Sequence, residues 1–181
     1  MKVMETDRLL LRYQTQDDAA FVLQLVNDPQ WLQYIGDRGV RTLEDARAYI
    51  ANGAMRMYEQ YGFGLFLVER KEDSTPLGIC GLVKRDGLDD IDIGFAFLPA
   101  YRAQGYAYEA ASAVMEYAVN KLGLARVVAI TTQDNDASAR LLQKIGLRFE
   151  RLFQLPGDPD VLKLFSYDST QADRGTEMPR K

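Results

Sequence analysis

The hydrophobic repeat changes period between Ile91 and Lys121. Ile91, Ile93, Phe95 and Phe97 alternate with Asp92, Gly94, Ala96 and Leu98, the period-two pattern of a strand. Pro99 has no amide hydrogen to give a ladder, so the strand is expected to end near Leu98. From Ala107 the period becomes helical, with Ala107, Ala110, Ala111, Val114, Ala118 and Leu122 on one face, which predicts a helix over 106–121. Between the two lies Arg102-Ala103-Gln104-Gly105-Tyr106-Ala107.

The rest of the chain is organised around this strand–turn–helix unit. A first strand is predicted over 9–13. Thr15-x-x-Asp18 has the form of a capping box, and Ala20, Phe21 and Leu25 give the helix after it an apolar face. Asn27-Asp28-Pro29 reads as its stop and residues 31–41 as a loop. Thr42-x-x-Asp45 opens a second helix with Ala46, Tyr49, Ile50, Gly53 and Met57 on one stripe. Strands are predicted over 63–69 and 76–83, and Arg85-Asp86-Gly87 turns the chain into the Ile91 strand. Short turns between three consecutive strands imply an antiparallel meander. After the 106–121 helix, residues 126–131 read as a strand parallel to the Ile91 strand, reached by a right-handed crossover.

Asn135 or Asp134 caps a further helix with Ser138, Leu141, Leu142 and Ile145 inward, closed by Gly146. Strands over 147–153 and 161–167 follow. Residues 1–167 are expected to form one domain, and the polar residues 168–181 a disordered tail.

Composition narrows the chemistry. The 181 residues carry a formal net charge of −4, which argues against general nucleic-acid binding and is compatible with a cationic acceptor such as an amine. There is no histidine, so Ser-His-Asp and Cys-His nucleophiles and His-ligated zinc are excluded. Proton transfer must use carboxylates, hydroxyls, amines, backbone or water. No apolar run approaches the ~18–20 residues of a membrane span, and the N-terminus is too polar for a signal peptide. The single Cys80 cannot close an internal disulfide and reads as a small buried hydrophobe, so a cytoplasmic setting is expected.

The 102–107 turn suits an anion. A helix N-terminus offers amides without intrahelical partners and partial positive charge. Gly105 lets the backbone approach a ligand closely, and Arg102 adds a full charge. Arg102-x-x-Gly105-x-Ala107 resembles the acetyl-CoA pyrophosphate loop of the GNAT N-acetyltransferases. Its flanks, Ile93-Gly94-Phe95, Pro99-x-Tyr101 and Tyr108-Glu109-Ala110, resemble the Rim-type subgroup, which includes the ribosomal-protein N-terminal acetyltransferases.

The resemblance implies a mixed α/β GNAT fold: a mostly antiparallel sheet of about seven strands, splayed at its centre, with four helices. It implies acetyl-CoA as acetyl donor, with Arg102, Ala103, Gln104, Gly105, Tyr106 and Ala107 at the pyrophosphate. The Phe97 and Leu98 main chain would lie along pantetheine, and a backbone N–H near Leu98 would receive the developing oxyanion. Asn135-x-x-Ser138 matches the subgroup's Asn-x-x-Ser, where the Asn contacts pantetheine and the Ser lies near the sulfur; equally, Asn135 suits a helix N-cap and Ser138 the first turn after it.

Asp92 falls where the subgroup often carries an acid. It is either the acceptor's base or a solvated strand charge beside Asp89 and Asp90. Lys144 is either a solvated helix lysine or a phosphate contact. The tyrosine that serves many GNAT enzymes as general acid is replaced by Leu142, which moves the acid's role to Ser138. The implied activity is acetyl transfer to a primary amine, a small molecule or a protein N-terminus; an acyl-CoA-binding module without turnover is the alternative. The expected acceptor surfaces are the 31–41 loop and the 155–160 turn. No metal, DNA or membrane partner is expected, and the chain is a monomer or homodimer.

Overall fold

A computed structural model describes residues 1–170; most of the 168–181 segment therefore lies outside the described residues. The chain opens with β1 (Lys2–Glu5) and β2 (Leu9–Arg12). A 3-10 turn leads into α1 (Ala19–Val26), and α2 (Pro29–Tyr34) follows. Next come α3 (Leu43–Ile50), a π-helical turn over Ala51–Met55, and α4 (Arg56–Tyr61). The meander is β3 (Leu65–Arg70), β4 (Pro76–Val83) and β5 (Asp92–Phe97). Then come α5 (Tyr106–Glu116), prolonged by a π-helical turn to Lys121, β6 (Arg126–Thr132), α6 (Asp136–Lys144), β7 (Arg148–Phe153) and β8 (Leu162–Asp168).

The sheet has eight strands in the order β1-β2-β3-β4-β5-β6-β8-β7. All pairings are antiparallel except β5–β6. The mixed α/β architecture expected from the pattern is present, with β1 as an added edge strand. Asp168 belongs to β8 rather than to the tail. The crossover through α5 makes β5 and β6 parallel, but they share a single bridge, Asp92 with Val128. Beyond it the two strands diverge. One half-sheet, β1 to β5, leans on α1 and α3; the other, β6 to β8, leans away with α6.

Two large cores, and a small one of Leu88, Val128 and Leu164, fill the faces. Ile93, Phe97, Leu9, Phe66 and Cys80 pack under Ala110, Ala111 and Val114 of α5. Leu67, Ile79 and Leu98 pack under Phe21, Leu25, Ala46 and Ile50 on the opposite face. The small residues of α5 let the helix approach the strands closely, which brings its N-terminus to the mouth of the gap.

The helix starts follow from local chemistry. Thr42 Oγ1 accepts from the Asp45 amide at 3.0 Å and the Asp45 carboxylate accepts from the Thr42 amide at 3.2 Å, a reciprocal cap worth about 1 kcal/mol. The expected 31–41 loop is corrected in its first third. Asp28 caps Gln30 at 3.2 Å and Pro29 occupies the first helical position, so the Asp-Pro pair that ends α1 also starts α2.

Candidate active site

A cavity of about 730 Å³ runs through the gap between β5 and β6. On the α5–α6 side its walls include Gly105, Tyr106, Ala107, Asn135 and Ser138; on the α1–α3 side they include Trp31, Tyr34, Arg38, Tyr49 and Arg85. The gap thus joins the two faces of the sheet.

Strand geometry decides which backbone groups face it. The Leu98 amide donates to Leu77 O in β4 at 3.0 Å, and Val128 in β6 donates to Ile91 O at 3.0 Å. Successive residues turn their amide and carbonyl to opposite sides of a strand. Leu98, Ala96, Gly94 and Asp92 therefore bond to β4, whereas Phe95 and Phe97 present their main chain to the gap. Leu98 O is also taken, by the Tyr101 amide at 3.0 Å. This corrects the expectation for Leu98: both its main-chain groups are spent, and its side chain is buried in the α1–α3 core. Among the described residues the amides of Phe95 and Phe97 have no acceptor.

The turn before α5 is shaped by two left-handed residues, Ala103 (φ 59) and Gly105 (φ 82). Such residues curl the chain so that its amides line a concavity. Among the described residues the amides from 103 to 108 have no acceptor. The Gly105 φ lies where a Cβ costs about 1–2 kcal/mol, and an added Cβ would also sit 3.2 Å from Arg8 Nη2.

The Arg102 side chain departs from expectation. Its guanidinium donates to Phe97 O at 3.0 Å and to Asp28 Oδ2 at 2.5 Å. Its charge is balanced by a buried carboxylate, so the loop's attraction for anions comes from its amides. Gln104 likewise folds back, donating to Ala100 O at 2.7 Å. Arg8, which the pattern did not single out, braces the loop instead. It donates to Gln104 O at 3.1 Å and to Glu109 Oε1 at 2.8 Å, and its guanidinium lies 4.3 Å above the Tyr106 ring. Glu109 also accepts from Thr6 Oγ1 at 2.5 Å. Residues a hundred positions apart form this brace, and no short-range signal links them.

Asn135 caps α6, its Oδ1 accepting from the Ser138 amide at 3.3 Å. The Ser138 hydroxyl lines the cavity and has no protein partner among the described residues. Leu142, four residues on, is 1% exposed and belongs to the core beneath α5.

Of the two readings of Asp92, the solvated strand charge is overturned. The residue is 1% exposed, and its Oδ2 receives Arg85 Nε at 2.5 Å. Burial pushes its carboxyl above the ordinary value, while the Arg85 charge and hydrogen bond pull it down. It projects onto the α1–α3 face, opposite Ile93, at the vertex where β5 and β6 part. Cys80 is fully buried, and burial pushes its thiol up, so it is no nucleophile. Among the described residues no cluster of His, Cys, Asp or Glu has the make-up of a metal site, and no helix is long and apolar enough to cross a membrane.

Residues 8–148 match the family model described as an acetyltransferase (GNAT) domain. The chain belongs to the GNAT acetyltransferase family. Two Bacillus subtilis relatives agree: the uncharacterized N-acetyltransferase YnaD is 34% identical over 82% of this chain and 84% of its own length. YoaA, also an uncharacterized N-acetyltransferase, is 31% identical over 82% and 84%. A GNAT-family acetyltransferase from Bacillus anthracis superposes with a TM-score of 0.77 at 27% identity, covering 94% of this chain and 99% of that one. RimL, the ribosomal L7/L12 α-N-protein acetyltransferase solved with coenzyme A, shares the fold at 18% identity, with a TM-score of 0.78 over 93% and 98%. The GNAT assignment makes the chain an acetyltransferase, and acetyltransferases of this fold use acetyl-CoA.

Proposed function

We propose that the protein transfers acetyl from acetyl-CoA directly to a primary amine, in the manner of the Rim-type enzymes. The observation that carries this is the cavity through the sheet: one opening joins the amide-lined turn of α5 to the buried carboxylate of Asp92. The residues fit the donor. Unpartnered amides from 103 to 108 and the left-handed Gly105 suit a pyrophosphate. The gap-facing main chain of Phe95 and Phe97 suits an extended amide-bearing arm. Arg140 and Lys144 of α6 line the same side of the cavity and suit further phosphate.

Bound there, acetyl-CoA supplies an already activated acyl group, so the protein chiefly positions two reactants and stabilises charge. The Phe95 or Phe97 amide replaces that of Leu98 as oxyanion donor. Asp92 draws the acceptor ammonium to the vertex and takes its proton, directly or through water. The Ser138 hydroxyl donates to the departing sulfur. Replacement of the usual tyrosine by Leu142 is tolerable because a thiol, with a pKa of about 8.5, is already a fair leaving group. Starting from the ammonium, the nitrogen gains the acetyl and loses two protons: the first passes through Asp92 to solvent, and the second restores to Ser138 the proton it gives the departing thiolate.

The test is an acetyl-CoA turnover screen across small amines and N-terminal peptides, read as free thiol. Thiol release with at least one amine is the expected result. Tight acetyl-CoA binding without thiol release for any amine, at any pH, would make the chain a binding module instead.

A further inference from the structure

The acceptor half of the cavity carries a positive charge that the protein does not balance. The carboxylates lining the cavity are Asp28 and Asp92, and each is already matched, by Arg102 and Arg85, at 2.5 Å. Arg38 also lines the cavity on the α1–α3 side, and among the described residues it has no carboxylate partner. Its neighbour Asp37 is taken by Arg41 at 2.5 Å and by the Gly39 amide at 2.8 Å. Arg38 is exposed to solvent at the cavity rim and unmatched by any carboxylate among the described residues, in a chain whose net charge is −4.

The loop that holds Arg38 is braced without using the Arg38 side chain. Asn27 Nδ2 donates to Val40 O at 2.9 Å, and Arg41 donates to Asn27 Oδ1 at 3.1 Å. The Arg41 amide donates to Asp45 Oδ2 at 3.0 Å, and Val40 is buried. Both sides of the loop are thus pinned without any ion pair to Arg38. Tyr49 stands beside it: its hydroxyl accepts a hydrogen bond from Arg38 and also feels the charge of Arg85. Arg85 in turn holds Asp92, so Tyr49 and Arg85 link Arg38 to the vertex where the acceptor's amine would sit.

We propose that Arg38, with the Tyr49 hydroxyl, binds a carboxylate on the acceptor, so that the substrate is an amine that also carries an acid. A planar guanidinium pairs with a carboxylate through two parallel N–H donors, and a phenol adds a third. The proposal rests on the acetyl-transfer reading and adds the class of acceptor. The carboxylate has two sources, a free amino acid or an acidic side chain near a peptide N-terminus.

The experiment uses matched acceptors: 4-aminobutyrate against its carboxamide, and N-terminal Ser-Glu against Ser-Gln peptides. The ratio of kcat/KM for acid over amide should be about tenfold or more in the wild type, the range of a charge-assisted hydrogen bond. It should fall towards one in Arg38→Ala, persist in part in Arg38→Lys and invert in Arg38→Glu. The format with the larger ratio identifies the source. Calorimetry with the N-acetylated acid and the N-acetylated amide measures the same preference without turnover, so it separates failure of this proposal from failure of acetyl transfer. Equal binding of acid and amide to the wild type would overturn the proposal, as would a loss in Arg38→Ala shared by both.

Discussion

Arg85 and Asp92 meet at 2.5 Å at the vertex of the splayed sheet, the carboxylate buried and the guanidinium about one-third exposed. The pair opposes two effects. Burial raises the Asp92 carboxyl above its ordinary 3.8, and Arg85 draws it back. A carboxyl raised in this way holds its proton more tightly than a surface aspartate does.

Two variants test the pair. Asp92→Asn keeps the shape and removes the charge, and should lower kcat/KM most strongly below pH 8, where the amine most needs help to deprotonate. Arg85→Ala leaves a buried carboxylate unmatched. It should cost ~3 kcal/mol of stability and move the rising limb of the pH–rate profile to higher pH. For stability the sign is fixed by the raised value: Asp92 favours the fold most below about 3.8, and that contribution is lost as pH climbs through its folded value. Thermal melts across pH should lose this dependence in Asp92→Asn. Full activity of that variant at all pH values would remove Asp92 as the base.

Gly105→Val forces a branched side chain into a left-handed position beside Arg8. A stability loss of about 1–2 kcal/mol is expected, together with loss of acetyl-CoA binding in the folded variant. Calorimetry on protein shown to be folded by circular dichroism is the check. Unchanged affinity would mean that the turn does not hold the donor.

Ser138→Ala should lower kcat on the order of 10–100-fold if the hydroxyl assists departure of the sulfur, with acetyl-CoA affinity little altered. The cap itself survives, because Asn135 uses the Ser138 amide and not its hydroxyl. Single-turnover thiol release at wild-type rate would reduce Ser138 to a first-turn helix residue.

Glu109 links Thr6 and Arg8 to the start of α5. Burial raises its carboxyl, but the hydrogen bonds from Thr6 and Arg8 outweigh burial and leave it below the ordinary value of 4.5. Its stabilisation is therefore present above about 4.5 and fades as pH falls through the depressed value. Glu109→Gln should melt earlier than wild type at pH 7, with the gap closing in acid. It should also weaken acetyl-CoA binding several-fold, since the Arg8 brace on Gln104 O loosens. Identical melting of the two proteins at pH 7 would contradict this.

The strand–turn–helix unit was legible because each of its signals is local: alternation over Ile91 to Leu98, Pro99 as a stop, Gly105 before an alanine-rich stripe. The same holds for the Thr42–Asp45 cap. What escaped the pattern depends on distant partners. Asp92 reads as a surface charge until the fold lays Arg85 across it. Arg102 reads as a free cation until α2 presents Asp28. The helix at Pro29 was missed because Asp-Pro is both a stop and a start, and six residues carry too short a period to decide. The main-chain role assigned to Leu98 failed by one residue, since on a strand a one-residue shift reverses the side on which the backbone bonds.

The single bridge between β5 and β6 has one more effect. Unpaired strand edges invite pairing with other chains, and proteins usually shield them at the rim of a sheet. Here two such edges face each other inside the molecule, walled by α5 and α6 on one side and α1 to α3 on the other. An adhesive surface is kept at full strength yet out of reach of a neighbouring protein's strand, and is open to a molecule thin enough to slide between helices.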